Sequence, residues 1–122
     1  MFRTKIKLKG KDVTIKFGNW VNQEMVAKGY SVADLQELAS QVQANPFKFM
    51  PILLHLGACN AKNMDLEDYK INEFHDLMDE FVASGDLSEV ERIQKVYFKS
   101  LGVDLDLINQ DTEVKKQAPK KK

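Results

Sequence analysis

Residues 2–17 of this 122-residue chain read FRTKIKLKGKDVTIKF, in which apolar and polar side chains alternate in two short runs. Alternation with a period of two predicts a β-strand that has one apolar face. The Gly10-Lys11 pair between the runs predicts a two-residue type II′ turn, which places Leu8 opposite Val13. We therefore expect a β-hairpin whose apolar face is covered by the rest of the chain, because a hairpin alone is barely stable.

The other face of the predicted hairpin is basic, and its positive side chains are Arg3, Lys5, Lys7 and Lys16. Like charges that face each other across two strands are destabilising, so an acidic partner on this face would stabilise the hairpin. Charge is unevenly spread along the chain: residues 1–16 carry +5, residues 17–112 carry −9 and residues 113–122 carry +4. This segregation is typical either of three solvated surfaces or of complementary contact between molecules.

From this charge pattern we expect reversible self-association into a homo-oligomer, partly head-to-tail, in which the basic hairpin meets an acidic surface of another copy. The alternating segment 103–107 is one acidic candidate. Its Asp104 and Asp106 would lie alongside Lys5 and Lys7 if the segment adds to the hairpin as a strand.

After the hairpin, apolar residues recur at helical spacing and predict about five helices, near residues 20–28, 32–44, 47–60, 72–84 and 88–101. Asp65–Asp68 predicts the start of a further short helix, and Pro51 is expected in the first turn of the third helix. The segment 47–60 is apolar on nearly all sides, which favours a central core helix. The alternative is that one of its sides forms an oligomer or client surface.

The predicted fold class is therefore α+β, with an N-terminal hairpin (2–17) packed on a helical body (19–102). We expect one globular domain over residues 1–108. The segment 109–122 is polar and rich in lysine, which predicts a disordered, flexible tail.

The sequence gives little support for an enzyme. It contains no P-loop, GxGxxG or HExxH motif, and we expect no catalytic residue, cofactor or metal site. His55 and Cys59 are four residues apart, but no third ligand lies nearby, which favours a hydrogen-bonded core histidine. One cysteine fits a reducing cytoplasm, and the absence of an 18-residue apolar run predicts no membrane span.

The stretch KIKLKGKDVTIKFG at residues 5–18, followed directly by a helix, resembles the start of the tail assembly chaperones of long-tailed bacteriophages. The resemblance extends through the helical body to about residue 102, and the lysine-rich end also fits. It depends on the pattern and order of elements and on no catalytic signature.

The resemblance implies a non-enzymatic factor that binds the tape-measure protein, keeps it soluble and recruits tail-tube subunits. Such a factor acts in the host bacterial cytoplasm and is absent from the mature virion. The family also makes a longer product by ribosomal frameshifting, which contacts the tail-tube protein. The resemblance supplies no motif for client contact, so the candidates come from the apolar segment: Phe47, Phe49 and Met50.

A competing interpretation is a small regulatory protein that binds nucleic acid through the basic hairpin, since a two-stranded ribbon can enter a major groove. However, Phe2 and Phe17 fall on the apolar face, where they could not stack on bases. The acidic middle of the chain also opposes binding to phosphates. Nucleic acid is therefore the less favoured partner.

Overall fold

The computed structural model describes residues 2–103. It confirms the α+β fold class, with an N-terminal two-stranded antiparallel hairpin followed by helices. The elements in the described part are β1 Phe2–Leu8, β2 Lys11–Phe17, α1 Asn19–Ala27, α2 Leu35–Ala44, α3 Pro46–Lys62, α4 Ile71–Ser84 and α5 Ser88–Ser100.

The hairpin turn differs from the predicted one. Lys9 and Gly10 form the turn, both with positive φ (53° and 80°), and Leu8 pairs with Lys11. Two successive residues with positive φ define a type I′ turn, whose twist matches that of the flanking strands. The register is displaced by two residues from the predicted one, and because side chains alternate with a period of two, the apolar face is unchanged.

α3 lies at the centre of the fold and packs against β2, α1, α2 and α4. Every residue from 49 to 60 is buried, so the structure confirms the central core helix. The apolar face of the hairpin covers one side of α3, and α5 packs along β1. An aromatic cluster joins these layers: the Phe49 ring lies 5.3 Å from that of Tyr30 and 6.0 Å from that of Tyr97, and Tyr97 lies 5.2 Å from Phe17.

Gly57 allows the hairpin to approach α3 closely. A Cβ atom at this position would lie 2.4 Å from Cγ2 of Ile15 and 3.3 Å from Cε1 of Phe17. Glycine inside a helix costs about 1 kcal/mol relative to alanine. The close contact between β2 and α3 offsets that cost.

Two helix predictions were wrong. Pro51 lies inside α3 and not in its first turn, because Asn45 caps the helix and Pro46 takes its first position. Asp65–Asp68 forms turns instead of a helix. The Asp65 carboxylate accepts a hydrogen bond from the main-chain N–H of Glu67 at 2.9 Å. Local hydrogen bonds of this kind between an aspartate and the backbone compete with helix formation.

Candidate functional site

The first turn of α3 carries an apolar side chain that is open to solvent. Phe47 is 56% exposed, whereas Phe49 and Met50 are both fully buried. Successive helical residues are rotated by about 100°, so Phe49 faces the side of the helix opposite to Phe47. Met50, three residues after Phe47, lies on the same side as Phe47 but one turn further along the helix, where it is buried. Of the three client-contact candidates, only Phe47 is therefore available to a partner in this structure.

Phe47 lies at one end of a shallow groove of about 580 Å³ between α3 and α4, lined by Phe47, His75, Met78, Asp79, Val82 and Ala83. Val82 is 52% exposed, and the largely buried Met78 lies beside it. Counted from His75, the other α4 residues that line the groove lie three, four, seven and eight positions along, the spacing of one helix face. This groove was not predicted from the sequence, because the helical spacing of Met78 and Val82 predicts that both lie on the buried face of α4.

Two exposed large apolar side chains in one groove are the main apolar feature of this surface. Neither belongs to the buried core cluster, which includes the neighbouring Phe49, Leu77 and Met78. Apolar patches that keep contact with water at a concave site mark binding surfaces more often than isolated apolar residues do.

One carboxylate, that of Asp79, lines the groove, and Glu73, further along α4, is already paired with Lys9 at 3.3 Å. α4 contains four carboxylates and no Lys or Arg: Glu73, Asp76, Asp79 and Glu80. No basic residue lies in its last turn, where the partial negative charge of the helix dipole favours a cation. The C-terminal end of α4 is therefore a site at which positive charge from another molecule would be stabilised.

The predicted basic face of the hairpin is present. Arg3, Lys5 and Lys7 are exposed and Lys16 is half-buried. Arg3 pairs across the strands with Lys16, and the Lys7 ammonium lies 2.7 Å from the Asp12 carboxylate. A hydrogen bond from Lys7, together with its charge, lowers the pKa of Asp12.

Arg92 of α5 partly covers the edge of β1 to which the segment 103–107 was predicted to add as a strand. Arg92 of α5 donates a hydrogen bond to the carbonyl oxygen of Lys5 at 2.7 Å and another to the hydroxyl of Thr4. Glu89 holds the guanidinium in place, and this contact lowers the pKa of Glu89. A strand added beside Lys5 would have to displace Arg92. The proposed acidic partners, Asp104 and Asp106, lie outside the described residues.

His55 and Cys59 face the loop between α3 and α4. The Nε2 atom of His55 lies 3.0 Å from the carbonyl oxygen of Leu66 and 2.8 Å from that of Tyr69. Because carbonyl groups only accept, Nε2 carries the proton. The structure thus confirms a buried, hydrogen-bonded histidine. Burial raises the pKa of the Cys59 thiol, which makes it a poor nucleophile.

Within residues 2–103, no group of three or more His, Cys, Asp or Glu side chains is arranged to hold a metal ion. None of the helices in that range is long and apolar enough to cross a bilayer. Comparison with protein-family models, curated proteins and solved structures finds no match to this chain.

Proposed function

We propose that this chain is a non-enzymatic tail assembly chaperone of a long-tailed bacteriophage. In this role it binds the tape-measure protein, keeps it soluble and helps to recruit tail-tube subunits. The observation that carries the proposal is the exposed apolar groove between α3 and α4, in which Phe47 and Val82 are both more than half exposed. The order of elements, a basic hairpin followed by five helices in the described residues, agrees with the resemblance in the sequence.

A long, apolar, helical client needs a binding partner that covers its surface without reacting with it. The groove presents Phe47 and Val82 to solvent, and neither has a hydrogen-bonding or ionisable group. Non-directional apolar contact permits one small protein to bind many similar segments of a client. We place this activity in the host bacterial cytoplasm, with the chaperone absent from the mature virion.

The proposal is tested by co-expressing this chain with the tape-measure protein encoded in the same genome region. We expect the tape-measure protein to be soluble and to co-purify with this chain, and to be insoluble when expressed alone. Equal solubility with and without this chain, together with no co-purification, would refute the chaperone function.

Self-association is a separate part of the proposal. The exposed Arg3, Lys5 and Lys7 and the acidic α4 lie on the same chain, and a patch that meets a different patch builds open or ring-like arrays. Analytical sedimentation should find larger species at low salt than at high salt, because salt screens the attraction. A monomer at high concentration in low salt would contradict this part.

A longer product made by frameshifting would attach a tail-tube-binding domain to the lysine-rich end. Consecutive lysines are encoded by adenine-rich codons, so the codons for Lys120–Lys122 are the place to look for a slippery heptamer that overlaps a second reading frame. Mass spectrometry of infected cells should then detect a minor, longer protein that shares these N-terminal peptides. A gene without the adenine run and the second frame would exclude this product.

The second candidate function is nucleic-acid binding, which the exposed Arg3 and Lys5 favour. Pairing of Lys7 with Asp12 and the half-burial of Lys16 leave fewer cations for phosphates than the sequence suggests. A gel-shift titration at physiological salt separates the two functions. Specific binding that is lost when Lys5, Lys7 and Lys16 become Glu would favour nucleic acid.

A further inference from the structure

We infer that the groove between α3 and α4 binds an amphipathic helix that carries Lys or Arg next to its apolar stripe. This inference rests on the proposed function, because it names the surface through which the chaperone contacts its client and the chemistry of the client segment. Three properties of the groove lead to it: its shape, its apolar lining and its charge.

The shape of the groove fits a helix. Phe47 in the first turn of α3 lies by Val82 near the end of α4, whereas His55, two turns later in α3, lies 6.0 Å from Phe74 near the start of α4. The two helices are therefore antiparallel neighbours. The depression between two such helices accepts the side-chain ridge of a third helix, and helix-in-groove binding is a common mode of peptide recognition.

The apolar lining sets the pattern of the bound helix. Phe47, Met78 and Val82 form a floor that extends for about one helical turn along α4. A partner helix with apolar residues at positions i, i+3 or i+4, and i+7 would place two or three of them on this floor. Burial of Phe47 and Val82 would remove two of the large apolar side chains that remain exposed in the described residues.

Charge selects a basic helix. Asp79 lies on the rim, α4 contains no Lys or Arg, and its C-terminal end has no basic side chain in the last turn. Lys or Arg residues beside the apolar stripe would meet the Asp79 carboxylate and the negative end of the helix dipole. An acidic helix would instead meet charge of its own sign.

A second copy of this chain offers a less suitable partner within the described residues. Its hairpin supplies positive charge, but the outer face consists of Arg3, Lys5, Lys7, Asp12, Thr14 and Lys16 and has no large apolar side chain. Such a face would leave Phe47 and Val82 without an apolar contact. Charge and apolar lining together therefore favour a helix from another protein.

The direct test uses a fluorescein-labelled peptide of about 18 residues, long enough for several helical turns, with leucines on one stripe and lysines along both sides. Fluorescence anisotropy measures its affinity for the full chain and for three variants: Phe47→Ser, Val82→Ser and Val26→Ser. Val26 is the matched control, because it is 57% exposed on α1 and does not line the groove.

We expect Phe47→Ser and Val82→Ser each to weaken binding by about tenfold, as loss of a central apolar contact does in other interfaces. Val26→Ser should bind as the wild type does. A second peptide in which glutamates replace the lysines should bind more weakly than the first, and Asp79→Lys should reduce that preference. Equal binding by all variants, or equal binding of the two peptides, would overturn the inference.

Circular dichroism and thermal melting establish that each variant is folded, and Asp79→Lys provides a variant that leaves the apolar lining intact. Sedimentation of Val82→Ser tests whether the groove instead binds a second copy of this chain. If the substitution abolishes self-association but leaves peptide binding unchanged, the groove binds a second copy and the inference is wrong.

Co-expression with the tape-measure protein separates this inference from the proposed function. If wild type does not co-purify with that protein, the proposed function fails, and the peptide measurements still decide what the groove binds. If wild type and Val82→Ser co-purify equally well with it, the chaperone function stands and the groove is not the client site. Co-purification of wild type but not of Val82→Ser would support both.

Discussion

The two ends of α3 differ in how completely the rest of the chain covers them. From residue 49 to residue 60 the helix is buried on all sides, and Gly57 brings β2 into direct contact with it. The first turn carries Phe47, which is 56% exposed beside the equally open Val82. The same apolar composition therefore produces a closed core at one end and an open groove at the other.

This difference shows that apolar residues of one helix can have separate roles. Phe49 contacts the ring of Tyr30, in the loop after α1, and that of Tyr97 on α5, so it joins α3 to these two parts of the core. Phe47, two residues earlier, contributes to the groove surface. A substitution at the closed end should change stability, whereas one at the open end should change partner binding.

The largest expected effect comes from comparing Phe49→Ala with Phe47→Ala. Truncation of a fully buried phenylalanine costs about 3–5 kcal/mol in the free energy of unfolding. Substitution of an exposed residue usually changes it by no more than about 0.5 kcal/mol. Urea denaturation of both variants measures the difference. Similar losses of stability would mean that Phe47 belongs to the core and that the groove is not open in solution.

The next effect concerns the close contact at Gly57. We expect Gly57→Ala to lower the free energy of unfolding by about 2–3 kcal/mol, because the added methyl group overlaps Ile15. Ile15→Ala removes the overlapping atoms and leaves space for that group. The double variant should therefore lose less stability than the sum of the two single variants. Additive losses in urea denaturation would contradict the direct contact.

The closed and open parts of the α3–α4 pair should also differ in thiol reactivity. Cys59 is buried and its pKa is raised, so the reactive thiolate is scarcer at pH 8 than it is for an exposed cysteine. A cysteine introduced as Val82→Cys in a Cys59→Ala background lies in the open groove. We expect it to react with a disulfide reagent at least about 100-fold faster than Cys59 does in the wild type. Cys59 is slower because the structure around it must first open locally.

The stopped-flow absorbance of the released thiol follows both rates. The reaction rate of Cys59 should rise with pH over a higher pH range than the rate of the groove cysteine does, because burial disfavours the charged thiolate. Equal rates at pH 8 would show that the two ends of the α3–α4 pair are equally accessible.

The smallest effect tests the hairpin that closes the core. Lys9 adopts a left-handed conformation in the type I′ turn, where Asn followed by Gly is preferred. Lys9→Asn should therefore raise the free energy of unfolding by about 0.5 kcal/mol. Loss of the exposed ion pair between Lys9 and Glu73 should reduce this gain slightly. A clear decrease on urea denaturation would favour the alternative register with a turn at Gly10-Lys11.

The hairpin faces were predictable because apolar alternation alone determines which side chains share a face. The register was not, because the sequence suggested glycine first in the turn, whereas the structure places Lys9 first, in a conformation that lysine rarely adopts. An error of two residues exchanged the cross-strand partners, so that Lys7 pairs with Asp12 and Lys5 with Thr14, but it left the core intact.

The groove was hidden from sequence analysis for a physical reason. The spacing of Phe74, Met78 and Val82 predicts one apolar face of α4, but it does not show how far the neighbouring helix extends. α3 begins at Pro46, so little of it remains to cover Val82 at the end of α4. Similarly, an all-apolar segment does not reveal which of its residues stays exposed, and Phe49 and Met50 were therefore chosen together with Phe47.

The most direct test of the central claim, that the open end of the α3–α4 pair binds a helical client, is hydrogen exchange of the full chain, alone and in the co-purified complex with the tape-measure protein. We predict increased protection of amides at residues 78–83, with no change at residues 52–60, which are already buried. Protection confined to the hairpin, or no change in α4, would show that the groove does not bind the client.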